Sequence, residues 1–145
     1  MTPHDVVDAV EVGGRRCTGR FIELNSYENR VYQLELEDRS MVVGKFYRPG
    51  RWSREAILEE HAFLAELEAE EIPAVTPLEL RPGESIGHVG GILYALFPRV
   101  GGRAPQELTD EQVEILGRLV ARIHNVGSMR PARARPRLDP STYAR

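Results

Sequence analysis

Met41-Val-Val-Gly-Lys-Phe-Tyr47 is the stretch from which the rest of the chain can be read. Its residues are mostly β-branched, aromatic or small, and side chains alternate across a pleated backbone. Val43, Lys45 and Tyr47 therefore share one face of a strand, and Val42, Gly44 and Phe46 share the other. Lys45 sits mid-strand. It is the single lysine among nineteen basic residues, the other eighteen being arginine. A lysine ammonium is a compact, strongly hydrated charge. Set inside an apolar strand, it needs a partner.

The next segment offers one. From Ser53 to Glu71 the pattern predicts a helix, with Ser53 as N-cap ahead of Arg54-Glu55-Ala56-Ile57-Leu58. At about 100° per residue, Ala56, Ile57, Phe63, Leu64 and Leu67 all project within about 60° of Glu60. Glu60 thus falls in the middle of the buried stripe, whereas Glu59 falls between Glu55 and Glu66 on the solvent side. An ionised carboxylate on an apolar face is costly unless paired, so Lys45 and Glu60 are expected to meet between strand and helix. The competing reading makes Lys45 an edge-strand charge with its head in water, and Glu60 one of several surface glutamates.

With 145 residues, 41% apolar and 28% charged, the chain is one domain's worth of a soluble globular protein. A net charge of -3 argues against general nucleic-acid binding, which shows as a basic excess. No apolar run is long enough to span a bilayer, and no basic segment leads into an apolar one at the N-terminus. The expectation is a cytoplasmic protein with neither a membrane nor a nucleic-acid partner. Cys17 stands alone, which excludes an internal disulfide and a cysteine-based zinc site. His4, His61, His88 and His124 have no metal-ligand spacing, so no metal site is assigned. His61 lies about 100° around the helix from Glu60 and is read as structural, and His124 as a helix-end residue.

Around the lysine strand the elements follow in order. Residues from about Pro3 to Val12 read as a short capping helix stopped by Gly13-Gly14. Cys17 to Leu24 and Arg30 to Leu36 read as strands joined by Asn25-Ser-Tyr-Glu-Asn29, so that three runs with short connections make an antiparallel meander. After the long helix come an extended crossing from Pro73 to Pro77 and short strand candidates at Leu78 to Leu80, Ile86 to His88 and Ile92 to Phe97. Pro98-Arg-Val-Gly-Gly-Arg103 is a pliant connector. Thr109-Asp-Glu-Gln112 is a capping box opening a helix whose stripe is Val113, Leu116, Val120 and Ile123, with Gly117 marking close packing. From Ser128 the chain is rich in proline and arginine and reads as a solvated linker rather than a phosphate-binding tail. The fold class is α+β: an antiparallel sheet of about five strands with one packed helix, then a connector and a helix. The boundaries fall at 1–97, 98–103, 104–127 and 128–145.

Four strings carry a resemblance: Leu24-Asn-Ser-Tyr-Glu-Asn-Arg-Val-Tyr32, Lys45-Phe-Tyr-Arg-Pro49, Ile57-Leu-Glu-Glu-His61, and Phe97-Pro98 with Val100-Gly-Gly-Arg103. With these the chain resembles the small lobe of the protein-kinase-like fold, in its aminoglycoside phosphotransferase and choline kinase branch. Within that branch the likeness is to bacterial serine/threonine protein kinases of the stress-response type. The resemblance implies an ATP- and magnesium-dependent phosphotransferase acting on a protein serine or threonine. It implies that the turn Ser26, Tyr27, Glu28 and Asn29 covers the phosphates, with Ser26 as an ATP contact. Lys45 becomes the phosphate-contacting lysine and Glu60 its helix partner. Residues 98–103 become the hinge between two lobes, with Phe97, Arg99 and Val100 beside the adenine.

This sequence departs from the kinase pattern in three ways. The turn lacks the glycine-rich G-x-G-x-x-G form. Gly44 stands where a β-branched residue is usual, which either leaves room above the adenine or weakens the strand. No His-Gly-Asp-x-x-x-x-Asn loop occurs, and after residue 103 the aspartates are Asp110 and Asp139 alone. The catalytic base and the magnesium ligands are therefore expected beyond Arg145, with no catalytic residue in the chain itself. Two other readings stay open. One is a small-molecule kinase acting on an aminoglycoside, choline or homoserine. The other is a non-catalytic lobe binding a partner through an exposed apolar patch at Leu96, Phe97 and the Leu116 to Ile123 stripe.

Overall fold

The computed structural model describes residues 2–103 and 105–137; Asp139 and the rest of the 128–145 tail beyond Arg137 lie outside the described residues. Five strands form one antiparallel sheet in the order β1-β2-β3-β5-β4. They are β1 (Cys17–Leu24), β2 (Arg30–Leu36), β3 (Met41–Phe46), β4 (Gly87–Val89) and β5 (Ile92–Pro98), and the helices are α1 (Pro3–Glu11), α2 (Arg54–Ala69) and α3 (Asp110–Ser128). The lysine strand lies at the centre. Val31 of β2 and Ala95 of β5 both stand opposite Lys45.

The alternation expected of β3 holds, and each face meets its own helix. Val42 and Phe46 pack with Leu34, Tyr94 and Leu96 against Val6, Ala9 and Val10 of α1. Across that face runs an aromatic ladder from Phe21 through Tyr32 and Phe46 to Tyr94, with ring centroids 5.8, 5.8 and 5.6 Å apart. Fully burying one such side chain contributes about 1.5–3 kcal/mol. On the opposite face, Tyr47 and Ala95 pack against Ile57 of α2, with Ile86 beside them. The sequence reading gave the sheet one packed helix and left α1 as a cap; the sheet is in fact covered on both sides.

The ladder accounts for Gly44 and overturns the reading that it leaves room above the adenine. Gly44 lies on the α1 face, away from Lys45, where an added Cβ would stand 3.0 Å from the Phe46 ring and 3.6 Å from Leu96. The missing side chain makes space for Phe46 in the core. Gly87 does the same for Tyr94, whose ring would lie 2.2 Å from an added Cβ.

Three further expectations change. Leu78 to Leu80 is not a strand, although Leu78 N–H donates to Leu96 O at 2.7 Å and Leu80 N–H to Glu84 O at 2.8 Å. Helix α3 begins at the predicted capping box, with Thr109 and Gln112 bonding reciprocally. Among the described residues nothing approaches within 4 Å of an added Cβ on Gly117, so it marks no close packing against them. The close approach is at the second-last residue of the helix, where an added Cβ on Gly127 would lie 3.6 Å from the Phe63 ring. Val126 buries its side chain with Leu67 and Ile72, and Val113, Leu116 and Val120 stay exposed. Leu96, assigned to the same apolar patch, is fully buried. No described helix is long and apolar enough to cross a membrane.

Candidate functional site

Lys45 and Glu60 meet as the strand and helix phases require. Lys45 Nζ donates to Glu60 Oε1 at 2.5 Å, and the two side chains are 24% and 20% exposed. The ammonium also stands 4.8 Å from the centroid of the Tyr47 ring, two residues along the same face. The surface-charge reading of Lys45 is thereby excluded. Helix α2 is held at its start by Ser53, whose hydroxyl accepts from Ala56 N–H, and by Ala56 and Ile57 buried against the sheet. One helical turn separates Ile57 from Glu60, which brings the carboxylate back to the sheet side.

Below the pair lies a buried polar chain. Tyr47 Oη lies 3.4 Å from Glu60 Oε1 and 3.3 Å from His61 Nε2, and His61 Nδ1 lies 2.7 Å from Ser85 Oγ. His61 also meets Phe97 edge-on at 6.1 Å. The structural role read for His61 fits these contacts. Burial by itself would push the Glu60 carboxyl up, but the hydrogen bond and charge of Lys45, with Arg135 and His61 behind them, outweigh it and hold Glu60 below its usual range. Burial and then the Glu60 charge push the Tyr47 phenol far up. Burial holds the His61 imidazole below its ordinary value of 6.5, against the pull of Glu60. The cluster at neutral pH is a carboxylate, a neutral phenol and a neutral imidazole.

Two sequence readings fail here, and they fail together. Glu59 was placed on the solvent side and the segment after Ser128 was read as a linker. Instead, residues 130–135 run back along α2. The N–H groups of Arg133, Ala134 and Arg135 donate to the Glu59 carboxylate at 2.8, 2.9 and 3.1 Å. These donors hold Glu59 below its usual range. Arg130 pairs with Glu66. Arg135 Nη1 reaches Glu60 Oε2 at 3.1 Å, and its guanidinium lies 4.4 Å from the Trp52 ring. Arg135 is the site residue the sequence reading missed. Its only mark in the sequence is its place in an arginine-rich run.

The turn forms a second locus. Ser26 to Arg30 line a cleft of about 520 Å³ with Tyr47, Arg48 and Pro49, and Lys45 is not part of its wall. Ser26 Oγ accepts from Asn29 N–H at 3.4 Å, Asn29 Oδ1 accepts from Arg48 N–H at 3.3 Å, and Tyr27 is fully exposed. Glu28 pairs with Arg51 at 3.5 Å, and Arg51 lies 5.4 Å from Trp52 on its way to the Arg135 contact. Phe97 shares the Lys45 face at the next pleat of β5, while Arg99 and Val100 are exposed beyond the strand. The structure thus brings together Lys45, Glu60 and Phe97, and holds the turn apart from them. Among the described residues no group of three or more histidine, cysteine, aspartate or glutamate side chains is arranged to hold a metal ion.

A family model described as "Phosphotransferase enzyme family" matches residues 20–144. Stress response kinase A of Salmonella choleraesuis is 43% identical over 143 residues, and stress response kinase A of Escherichia coli is 39% identical over the same length. The serine/threonine protein kinase RdoA of Salmonella typhimurium is 42% identical. Each alignment covers 99% of this chain and 43% of the relative, so the chain spans less than half the length of the curated relatives it matches. Among solved structures, amicoumacin kinase hAmiN, determined in complex with AMP-PNP, Ca2+ and Ami, superposes with a TM-score of 0.72 at 18% identity. That match covers 90% of this chain and 41% of the other, and it shows a shared fold: the small lobe of the protein-kinase-like architecture.

Proposed function

Since the chain belongs to the phosphotransferase enzyme family, we propose that residues 1–145 are the nucleotide-holding part of a kinase that transfers the γ-phosphoryl group of ATP to a protein serine or threonine. The observation carrying this reading is the Lys45–Glu60 pair at 2.5 Å. It holds an ammonium, part-exposed, over the middle of a sheet face that also carries Val43, Val31 and Phe97. An ammonium so fixed can meet anionic phosphate oxygens without reorganising, which is what phosphoryl transfer asks of the protein. Ser26 and the N–H groups of its turn are proposed to cover the phosphates, and the backbone near Phe97, Arg99 and Val100 to hold the adenine.

The neutralisation of triphosphate charge that phosphoryl transfer needs would be supplied by a magnesium ion. The described residues offer it no ligand set, so the metal ligands and the catalytic base are proposed to lie outside this segment. The protein acceptor is favoured over a small molecule by the 42% identity to a relative named as a serine/threonine protein kinase. The proposed setting, a stress response in the cytoplasm, rests on the names of the relatives and on the absence of a membrane-crossing helix among the described residues.

Thermal denaturation of the full protein tests the reading. ATP with magnesium should raise the melting temperature, by the equivalent of about 2.7 kcal/mol at a hundred times the dissociation constant. In Lys45→Ala the rise should vanish. An equal rise in the variant removes Lys45 from the nucleotide site, and no rise in either protein supports the non-catalytic lobe.

A further inference from the structure

Glu60 divides its two oxygens between two cations. Oε1 faces Lys45 at 2.5 Å and Oε2 faces Arg135 at 3.1 Å. A carboxylate with one partner can rotate its free oxygen into that partner's place; with a second partner on the far oxygen the rotation is blocked. Arg135 is itself fixed from two sides. Its guanidinium lies 4.4 Å from the Trp52 ring, a stacking geometry that suits a planar cation. Its own N–H and those of the two residues before it end on Glu59. Adjacent glutamates on one helix therefore do different work: Glu59 holds the backbone of the strap, and Glu60 receives its side chain.

We propose that Arg135 is a positioning residue for the Lys45–Glu60 pair, locking Glu60 so that Oε1 stays on the ammonium and drawing part of the carboxylate charge away from Lys45. This rests on the reading of Lys45 as the phosphate-contacting residue. A lysine fully neutralised by its carboxylate offers little field to a triphosphate. When the same carboxylate is shared with a guanidinium, more of the ammonium's charge remains available to an anion. The strap also ties the pair to the turn. Trp52 stands between Arg135 and Arg51, and Arg51 pairs with Glu28. Among the described residues Trp52 Nε1 is buried with no hydrogen-bond partner, and the guanidinium groups of Arg51 and Arg135 lie over its ring.

The test uses the full protein with Arg135→Ala, Arg135→Lys and, as an exposed control on α3, Arg118→Ala. The Glu60 carboxylate is titrated by carbon-detected NMR without nucleotide, and kcat and KM for ATP are measured alongside. The charged groups facing Glu60 are Lys45 from β3 and Arg135 from the 130–135 segment, and the titratable neutral ones are His61 from its own helix and the Tyr47 hydroxyl. Loss of one of the two cations should raise the Glu60 titration in Arg135→Ala. A charge-assisted hydrogen bond is worth about 1.5–3 kcal/mol, so kcat/KM for ATP should fall roughly tenfold to a hundredfold. Arg135→Lys, which keeps the charge but loses the planar stack, should fall between, and Arg118→Ala should match the parent.

An unmoved Glu60 titration overturns the proposal. So does a moved titration with unchanged kcat/KM, which would leave Arg135 a structural residue only. Failure of the underlying nucleotide reading looks different, because the Glu60 titration needs no ATP: there, Lys45→Ala would leave KM for ATP unchanged whatever Arg135 does.

Discussion

The Lys45–Glu60 pair gives the sharpest prediction, because its magnitude can be bracketed from its burial. Two unit charges about 4 Å apart attract by about 4 kcal/mol at the effective dielectric of a protein surface. Exposed pairs retain only about 0–1 kcal/mol of this, while removing one partner of a buried pair costs about 3–5 kcal/mol. At 24% and 20% exposure the pair lies nearer the buried limit, with two neighbours, Tyr47 and Arg135, that a neutral amide at position 60 would also meet. A double-mutant cycle over Lys45→Met and Glu60→Gln should therefore give a coupling of about 2–3 kcal/mol in stability by urea unfolding. If the pair serves phosphoryl transfer, the same cycle in kcat/KM should show each single variant falling roughly a hundredfold and the double variant falling little further, since each residue acts through the other. The control must be Glu68→Gln, an exposed glutamate on the same helix, and not Glu59→Gln, because Glu59 anchors the strap. A coupling below about 0.5 kcal/mol in both measurements, the additivity expected of independent sites, would show that the contact carries no energy and would refute the reasoning.

Two other perturbations test the frame around the site. Gly87→Ala would put a methyl against a Tyr94 ring that is 1% exposed, and overpacking of this kind costs about 1–3 kcal/mol; an unchanged urea midpoint would mean the ring is not where the ladder places it. His61 is held neutral by burial, with its folded value below the ordinary 6.5. Stability from this residue is therefore complete above pH 6.5 and declines as pH falls from there toward the folded value, since the unfolded chain takes up the proton first. Differential scanning calorimetry from pH 7.5 down to pH 5 should show that decline in the parent and a flatter profile in His61→Gln, and parallel profiles would contradict the assignment.

The parts of this protein that were legible in its sequence are those where one element carries its own period. The bounds of β1, β2 and β3 follow from alternation and turn residues. The starts of α2 and α3 follow from Ser53 and from Thr109 with Gln112. The inward phase of Glu60 follows from 100° steps around α2. What escaped the reading depends on an element elsewhere. Glu59 lies on the polar side of α2 by any helical count, and it is covered only because a segment 74 residues later crosses it. Gly44 was weighed against the ligand face because Lys45 stands next to it, yet neighbours in a strand point to opposite faces, and the reason for the glycine is the Phe46 ring. Gly117 on the α3 stripe is expected to mark close packing, but a period reports amphipathicity and not what covers it; along the stripe only Val126 near its end is buried by the described residues.

The division of labour between the single lysine and the arginines around it follows from the same geometry. The ammonium at position 45 sits at the end of an unbranched stem rising from the middle of a sheet, and one carboxylate oxygen and one aromatic face engage it. A guanidinium in that place would bring five donors in a fixed plane, more than Glu60 Oε1 and the Tyr47 ring could satisfy, and would keep little freedom to turn toward a ligand. At position 135 the demands reverse. The group must lie over the Trp52 ring and still reach Glu60 Oε2 with one nitrogen, which a guanidinium with several donors can do and a point charge cannot. A chain that uses arginine eighteen times and lysine once has placed its lysine where a compact charge is needed and an arginine where a many-donor brace is needed, and the carboxylate between them is shared because each cation meets a different oxygen.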